Sequence, residues 1–171
     1  MINEYVSLVL ILVATIGIPF YLISKFGDDR NRRRRELVSD SLIEEIRTKK
    51  NVAVELTREQ LKFFDGIIID IILISLKGVI YNTTSAPEFY GEDGGYHVYA
   101  GKESGRALGK MTLGKPQHDE DLENPWVDDL TPEQNKVLDD WIKLFKRKYP
   151  VVGSMKKNVV SLSSTSSKKN N

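Results

Sequence analysis

Residues 89–101 read Phe-Tyr-Gly-Glu-Asp-Gly-Gly-Tyr-His-Val-Tyr-Ala-Gly, and the rest of the chain is organised around them. Tyr90, Tyr96 and Tyr99 stand among Gly91, Gly94, Gly95 and Gly101, with His97 following Tyr96 directly. Glycine lets a backbone turn sharply or approach a flat ligand closely. Tyrosine brings an apolar ring and one hydroxyl that donates, accepts or, once deprotonated, binds a hard metal ion. Taken alone, such a stretch reads as a Gly-rich loop whose aromatics cover a core. Its neighbours decide between that reading and a ligand site.

On the N-terminal side, Thr57-Arg58-Glu59-Gln60 is a capping-box pattern. It predicts a helix running through Leu61, Phe63 and Phe64 and closed by Asp65-Gly66. Residues 67–76 are rich in isoleucine, interrupted by Asp70, and too few to span a bilayer, so they read as a buried strand. Lys77-Gly78 turns the chain into a second strand at 79–81, and 82–87 is loop. On the C-terminal side, 101–110 reads as a helix of small residues containing Arg106. Residues 114–129 hold Asp119, Glu120, Asp121, Glu123, Asp128 and Asp129 around Trp126. They read as a solvated loop, one that can steer a basic partner. His118 among these acids has no spacing that puts ligands on one face. Thr131-Pro132-Glu133-Gln134 is a second capping box with proline at N1. Val137, Leu138, Trp141, Leu144 and Phe145 then follow helical spacing, up to a stop before Pro150. Beyond Gly153 the Ser/Lys/Asn tail is too polar to fold alone.

Residues 5–23 are apolar and almost uncharged, close to the roughly 20 residues that span a bilayer. The positive charges follow the run, at Lys25, Arg30 and Arg32 to Arg35, whereas a cleaved signal peptide carries them in front. The pattern predicts a single-pass anchor with a short lumenal N-terminus and a cytosolic remainder. The arginines also suit anionic headgroups, at about 1 kcal/mol each. Leu37, Leu42, Ile43 and Ile46 predict a short amphipathic helix or stalk, read as a spacer. The expected organisation is an anchor at 1–25, a basic juxtamembrane stretch and stalk at 26–52, a folded domain at 53–153 and a polar tail at 154–171. Lys168 and Lys169 look like a dilysine signal for return to the endoplasmic reticulum.

With 25 Lys and Arg against 24 Asp and Glu in 171 residues, the net charge of +1 gives no field for nucleic acid. The absence of cysteine excludes disulfides, a thiolate haem ligand and zinc–cysteine sites, and fits a reducing compartment.

Phe64-Asp65-Gly66, Lys77-Gly78, Phe89-Tyr90-Gly91, Gly95-Tyr96, Tyr99-Ala100-Gly101, Arg106 with Leu108, Asp128-Asp129-Leu130-Thr131, Trp141 and Lys148-Tyr149-Pro150 occur in that order. The set resembles the membrane-associated progesterone receptor family over roughly residues 54–153. The resemblance implies an α+β fold, the cytochrome b5-like haem/steroid-binding domain, with a small sheet and helices around a ligand pocket, behind one transmembrane helix. It implies Tyr96 as the axial ligand to the iron of a non-covalent b-type haem. Tyr90, Lys148 and Tyr149 would line the same pocket and hydrogen-bond the haem or its propionates. Residues 114–129 correspond to the insertion that separates this family from true cytochrome b5. The resemblance further implies a protein that is not itself an enzyme. It would assist haem-thiolate monooxygenases of the cytochrome P-450 type, in sterol or steroid metabolism at the endoplasmic reticulum membrane. A haem-free membrane adaptor, direct binding of a sterol, and a homodimer stay open beside it.

The chemistry agrees with that assignment. A phenol titrates near about 10, so tyrosine ligates at neutral pH only when iron drives its proton off. Tyrosinate is a hard anion and favours ferric over ferrous iron. Three positions depart from the pattern: Asn82 stands where the family has an acid, Gly95 where proline precedes the ligand, and Gly105 where it has serine. His97 lies outside the pattern and is expected to be a partly exposed bystander. The chain has only His97 and His118 and no His-Pro-Gly-Gly signature, which argues against a bis-histidine electron carrier.

Overall fold

The computed structural model describes residues 5–7, 10–11, 13–48, 53–112 and 129–156. Its centre is a five-stranded sheet in the order β1-β5-β3-β2-β4. The strands are β1 (Val54–Leu56), β2 (Leu73–Leu76), β3 (Val79–Asn82), β4 (Lys102–Glu103) and β5 (Val151–Met155). Lys77 and Gly78 both take positive φ, 48° and 78°, which matches the right-handed twist of a two-residue hairpin joining β2 to β3. β5 pairs antiparallel with β3 and parallel with β1, Val54 facing Gly153. A Cβ on Gly153 would run into the Val54 backbone, so this pairing needs glycine there.

Six α-helical segments are described. α1 (Ile18–Leu37) follows a π-helical turn at Val13–Gly17, and α2 (Asp40–Thr48) follows α1. α3 (Arg58–Leu61), α4 (Pro87–Tyr90) and α5 (Gly105–Lys110) are short. α6 (Pro132–Lys148) is long and packs against α5 and the sheet. Both capping boxes form as read: Thr57 and Thr131 each accept from the N3 backbone, and Gln60 and Gln134 reach back to the caps. The first of these helices is a single turn and ends before Phe63.

Several expectations are corrected. Only Leu73–Leu76 of the apolar run at 67–76 is strand. Asp65 Oδ1 accepts from the N–H groups of Ile67 and Ile68 and Gly66 takes φ +84°, so a local turn wins over strand propensity. The small-residue segment at 101–110 opens with β4 before α5 begins. The chain after Gly153 continues as β5 to Met155. The stalk is not a free spacer: Val38 and Ile46 are buried with Leu56, Phe64 and Val152 in one core cluster.

No helix among the described residues is long and apolar enough to cross a membrane. Positions 8, 9 and 12 of the predicted span 5–23 lie outside them, and α1 turns from apolar to charged at Lys25. Leu10, Ile16, Phe20 and Ile23 are each more than half exposed. His118, Asp119, Glu120, Asp121, Trp126, Lys168 and Lys169 also lie outside the described residues.

Candidate functional site

Pro87 sits in the first turn of α4, where its fixed φ suits a helix start and its missing N–H costs nothing. The helix ends at Tyr90. The chain then folds back on itself: Gly94 N–H donates to the Gly91 carbonyl at 2.8 Å, Tyr96 N–H to Phe89 at 2.9 Å and His97 N–H to Gly94 at 3.0 Å. A Cβ on Gly94 would strike the Phe89 carbonyl, so this turn requires glycine. His97–Tyr99 follow as a 3₁₀ turn.

The turn delivers its tyrosines to the last half of α6. Tyr96 lies 6.2 Å from Tyr90, 6.2 Å from Tyr99 with the rings 19° from parallel, and 6.4 Å from Trp141. Tyr90 packs edge-on to Phe145 at 6.0 Å and to Tyr149 at 5.9 Å. These offset and edge-to-face arrangements suit the aromatic quadrupole. Trp141, Phe145 and Tyr149 recur every fourth residue, an aromatic stripe along α6 and its C-cap; helical spacing gave Trp141 and Phe145, and the family resemblance gave Tyr149.

Burial separates the tyrosines. Tyr90, Tyr99 and Tyr149 are buried, while Tyr96 and His97 are half-buried and Lys148 is exposed in the last turn of α6. Burial, then a hydrogen bond with Tyr149, pushes the Tyr90 hydroxyl well above its ordinary value. Burial, then the neighbouring Tyr96, pushes Tyr99 up to about 12. Both stay protonated at neutral pH and serve as hydrogen-bonding phenols. His97 points its Nδ1 at the Tyr90 carbonyl, 3.0 Å away. A carbonyl only accepts, so Nδ1 carries the proton.

Tyr90, Tyr96 and Tyr149 are thus brought together, and Lys148, next to Tyr149 in sequence, is exposed. The donor set fits a tyrosine-ligated haem: one hard phenol oxygen on a half-exposed side chain, with two buried phenols beside it. Next to Tyr96, a Cβ on Gly95 would meet nothing within 4 Å among the described residues. Among the described residues no group of three or more His, Cys, Asp or Glu could hold a metal ion. A cavity of about 310 Å³ lies beside the cluster, lined by Met111, Val137, Asp140, Trp141 and Leu144. It meets the tyrosine site only at Trp141.

The departures from the family pattern keep their local function. Asn82 Oδ1 accepts from the Thr84 N–H at 3.0 Å and from its hydroxyl at 2.6 Å, a role a carboxylate would also fill. Gly105 leaves room for Glu103, whose Oε1 a Cβ there would approach to 2.9 Å. Arg106 grips Asp129 with Nε at 2.9 Å and Nη2 at 2.6 Å, joined by Lys110 at 3.1 Å. One residue of the acidic segment is therefore a structural anchor.

No curated family profile matches the chain. It is 39% identical over 101 residues to Probable steroid-binding protein 3 of Arabidopsis thaliana, covering 58% of this chain and 96% of that protein. It is 33% identical over 103 residues to Cytochrome P450 regulator dap1 of Schizosaccharomyces pombe, covering 58% of this chain and 61% of that one. A solved Arabidopsis thaliana protein described as having a cytochrome b5 like fold is 37% identical, with a TM-score of 0.54. That match covers 61% of this chain and 93% of the other. Fold and site define a cytochrome b5-like α+β domain. The chain belongs to the family of membrane steroid-binding proteins and membrane-associated progesterone receptor components.

Proposed function

We propose that the chain is a membrane-anchored, cytosol-facing haem-binding protein in which the Tyr96 phenolate holds the iron of a b-type haem. Tyr90 and Tyr149 border the haem and Lys148 pairs with a propionate. The supporting observation is the arrangement of the tyrosines: Tyr96 is half-buried, between buried Tyr90 and Tyr99 and beside Trp141. When bound, the haem would supply a ferric iron centre of low potential. Tyr90 and Tyr149, buried and packed edge-on at 5.9 Å, form the inner wall and exclude water from it. Tyr96, half-buried at the edge of the cluster, would hold the iron. Lys148, as a compact cation, supplies the point charge that a carboxylate needs.

Such a site suits carrying, sensing or presenting haem better than turning over a substrate, so the protein is read as a helper and not an enzyme. The name of the yeast relative, a cytochrome P450 regulator, supports a haem-thiolate monooxygenase as the partner. The exposed apolar side chains before Lys25 support insertion of residues 5–23 in the endoplasmic reticulum membrane. Protease added to intact microsomes should then digest the domain, and protection until detergent is added would reverse the topology.

A second reading has its own observation. The cavity beside Trp141 is lined mainly by apolar side chains, and relatives are named for steroid binding, which supports a sterol ligand on the same fold without haem. Titration of the purified full chain with haemin and, separately, with a sterol decides between them. Saturable uptake of one haemin per chain, lost in Tyr96→Phe, is the expected result. A chain that stays colourless while binding sterol would leave the second reading.

A further inference from the structure

We infer that His97 is a positioning residue for Tyr96, clamping the ligand loop through the bond from its imidazole to the Tyr90 carbonyl. The inference rests on the reading of Tyr96 as the iron ligand. Within the loop, Gly94 is locked by its close approach to Phe89. Gly95 is not. The positive-φ glycines are Gly66, Gly78 and Gly101, so Gly95 needs no special conformation, and its side-chain position opens on empty space. Glycine there confers freedom without serving a geometric need. The loosest joint of the loop therefore directly precedes Tyr96.

Two bonds tie the far side of that joint back to α4. Tyr96 N–H reaches the Phe89 carbonyl at 2.9 Å, and His97 Nδ1–H reaches the Tyr90 carbonyl at 3.0 Å. They act on either side of the Tyr96 Cα, and together they set its orientation where one would leave a hinge. The second bond ends on a fixed point, because the Tyr90 ring is wedged between Phe145 and Tyr149. His97 thus supplies the stiffness that Gly95 withholds, and each should matter most in the presence of the other.

The test compares His97→Leu, which removes the donor, with His97→Asn, whose amide N–H₂ can take the place of Nδ1–H. Both are made in the full chain, with Gly95 and with Gly95→Ala. One readout needs no haem: the exchange rate of the Tyr96 amide hydrogen. The other is the rate of haem loss to excess apomyoglobin, with the absorption spectrum recorded alongside. An ordinary hydrogen bond corresponds to about fivefold in an equilibrium. His97→Leu should speed both rates about fivefold while the ligand signature persists. His97→Asn should restore both, and Gly95→Ala should shrink the effect of His97→Leu. Equal behaviour of the Leu and Asn variants, or an unchanged Tyr96 exchange rate, overturns the clamp. Faster exchange with unchanged haem loss overturns the positioning role. A chain whose Tyr96 exchange responds as expected but which takes up no haem instead overturns the reading of Tyr96 as ligand.

Discussion

Arg47 lays its two terminal nitrogens on the Asp70 carboxylate, at 2.5 and 3.1 Å, and so ties α2 to the loop that enters the sheet. The pair is exposed, and such pairs contribute at most about 1 kcal/mol. The main joint is the packing beneath it. Val38 and Ile46 are buried, Gln60 donates to the Leu37 carbonyl at 2.8 Å, and Arg34 meets Asp40 at 2.6 Å. α1 therefore runs into the domain through a packed corner. From Ile23 to Leu37 a helix rises about 21 Å, a fixed stand-off for the tyrosine site if residues 5–23 lie in a membrane.

This corner can be measured directly, because the chain has no cysteine to interfere. Spin labels on Arg30→Cys and Glu88→Cys should give a narrow distance distribution in the full chain. Ile46→Asp should broaden it, and Ile46→Ala should cost about 2–4 kcal/mol by the cavity it leaves. A broad distribution in the otherwise unaltered chain would restore the flexible spacer.

Glu103 carries the hairpin end of the domain. Its buried carboxylate accepts from Ser75 Oγ at 2.5 Å and from the N–H groups of Lys77, Gly78 and Gly105 at 2.9–3.0 Å. Those donors hold Lys77 in its left-handed conformation. Glu103→Ala leaves several buried donors unpaired, each costing about 1–3 kcal/mol, so a loss of at least about 3 kcal/mol is expected in urea unfolding. A loss under about 1 kcal/mol would show that solvent replaces the carboxylate.

Two phenols in the same cluster should respond oppositely to losing their hydroxyls. The Tyr81 hydroxyl is buried with no hydrogen-bond partner among the described residues, while that of Tyr90 interacts with Tyr149. Tyr81→Phe should be neutral or stabilising by up to about 1 kcal/mol, and Tyr90→Phe destabilising by about 1 kcal/mol. Equal effects in thermal unfolding would refute this assignment.

Acid stability carries a signature of Asp129. Its hydrogen bonds from Arg106, then Lys110, hold its carboxyl well below the ordinary value of about 4. Because the folded value is the lower one, the contribution is full above the unfolded value and fades as pH falls through the folded one. Its size is modest, since the Asp129 side chain is 38% exposed. Glu103 has the opposite sign: burial raises its folded value, so its contribution is largest in acid and declines as pH rises. Asp129→Asn should flatten the fall in melting temperature below about pH 4 relative to the unaltered chain. An identical acid limb would mean that Arg106 finds no stability in Asp129.

What the sequence discloses here is whatever is settled within a few residues. The capping boxes at Thr57 and Thr131 and the Lys77-Gly78 turn are read correctly because donor and acceptor lie at most four positions apart. β5 escapes because its reason for being a strand is Val54, about a hundred residues earlier, and nothing local in Gly153-Ser154-Met155 announces it. The docking of Val38 and Ile46 escapes likewise, since an amphipathic helix does not say what it covers. At the site, the meeting of Tyr90, Tyr96 and Tyr149 was expected only through resemblance. The imidazole bond of His97 was missed, because a histidine outside a pattern carries no signal of its neighbour's carbonyl.

The central claim is that Tyr96, and not His97, holds the iron. Resonance Raman spectra of the ferric haem-loaded chain test it most directly, compared for the unaltered protein, Tyr96→Phe and His97→Ala. An iron–phenolate vibration should be present in the first, persist in His97→Ala even as haem is lost faster, and vanish in Tyr96→Phe. A phenolate band that survives Tyr96→Phe, or bound haem that depends on His97 and not on Tyr96, would contradict the account.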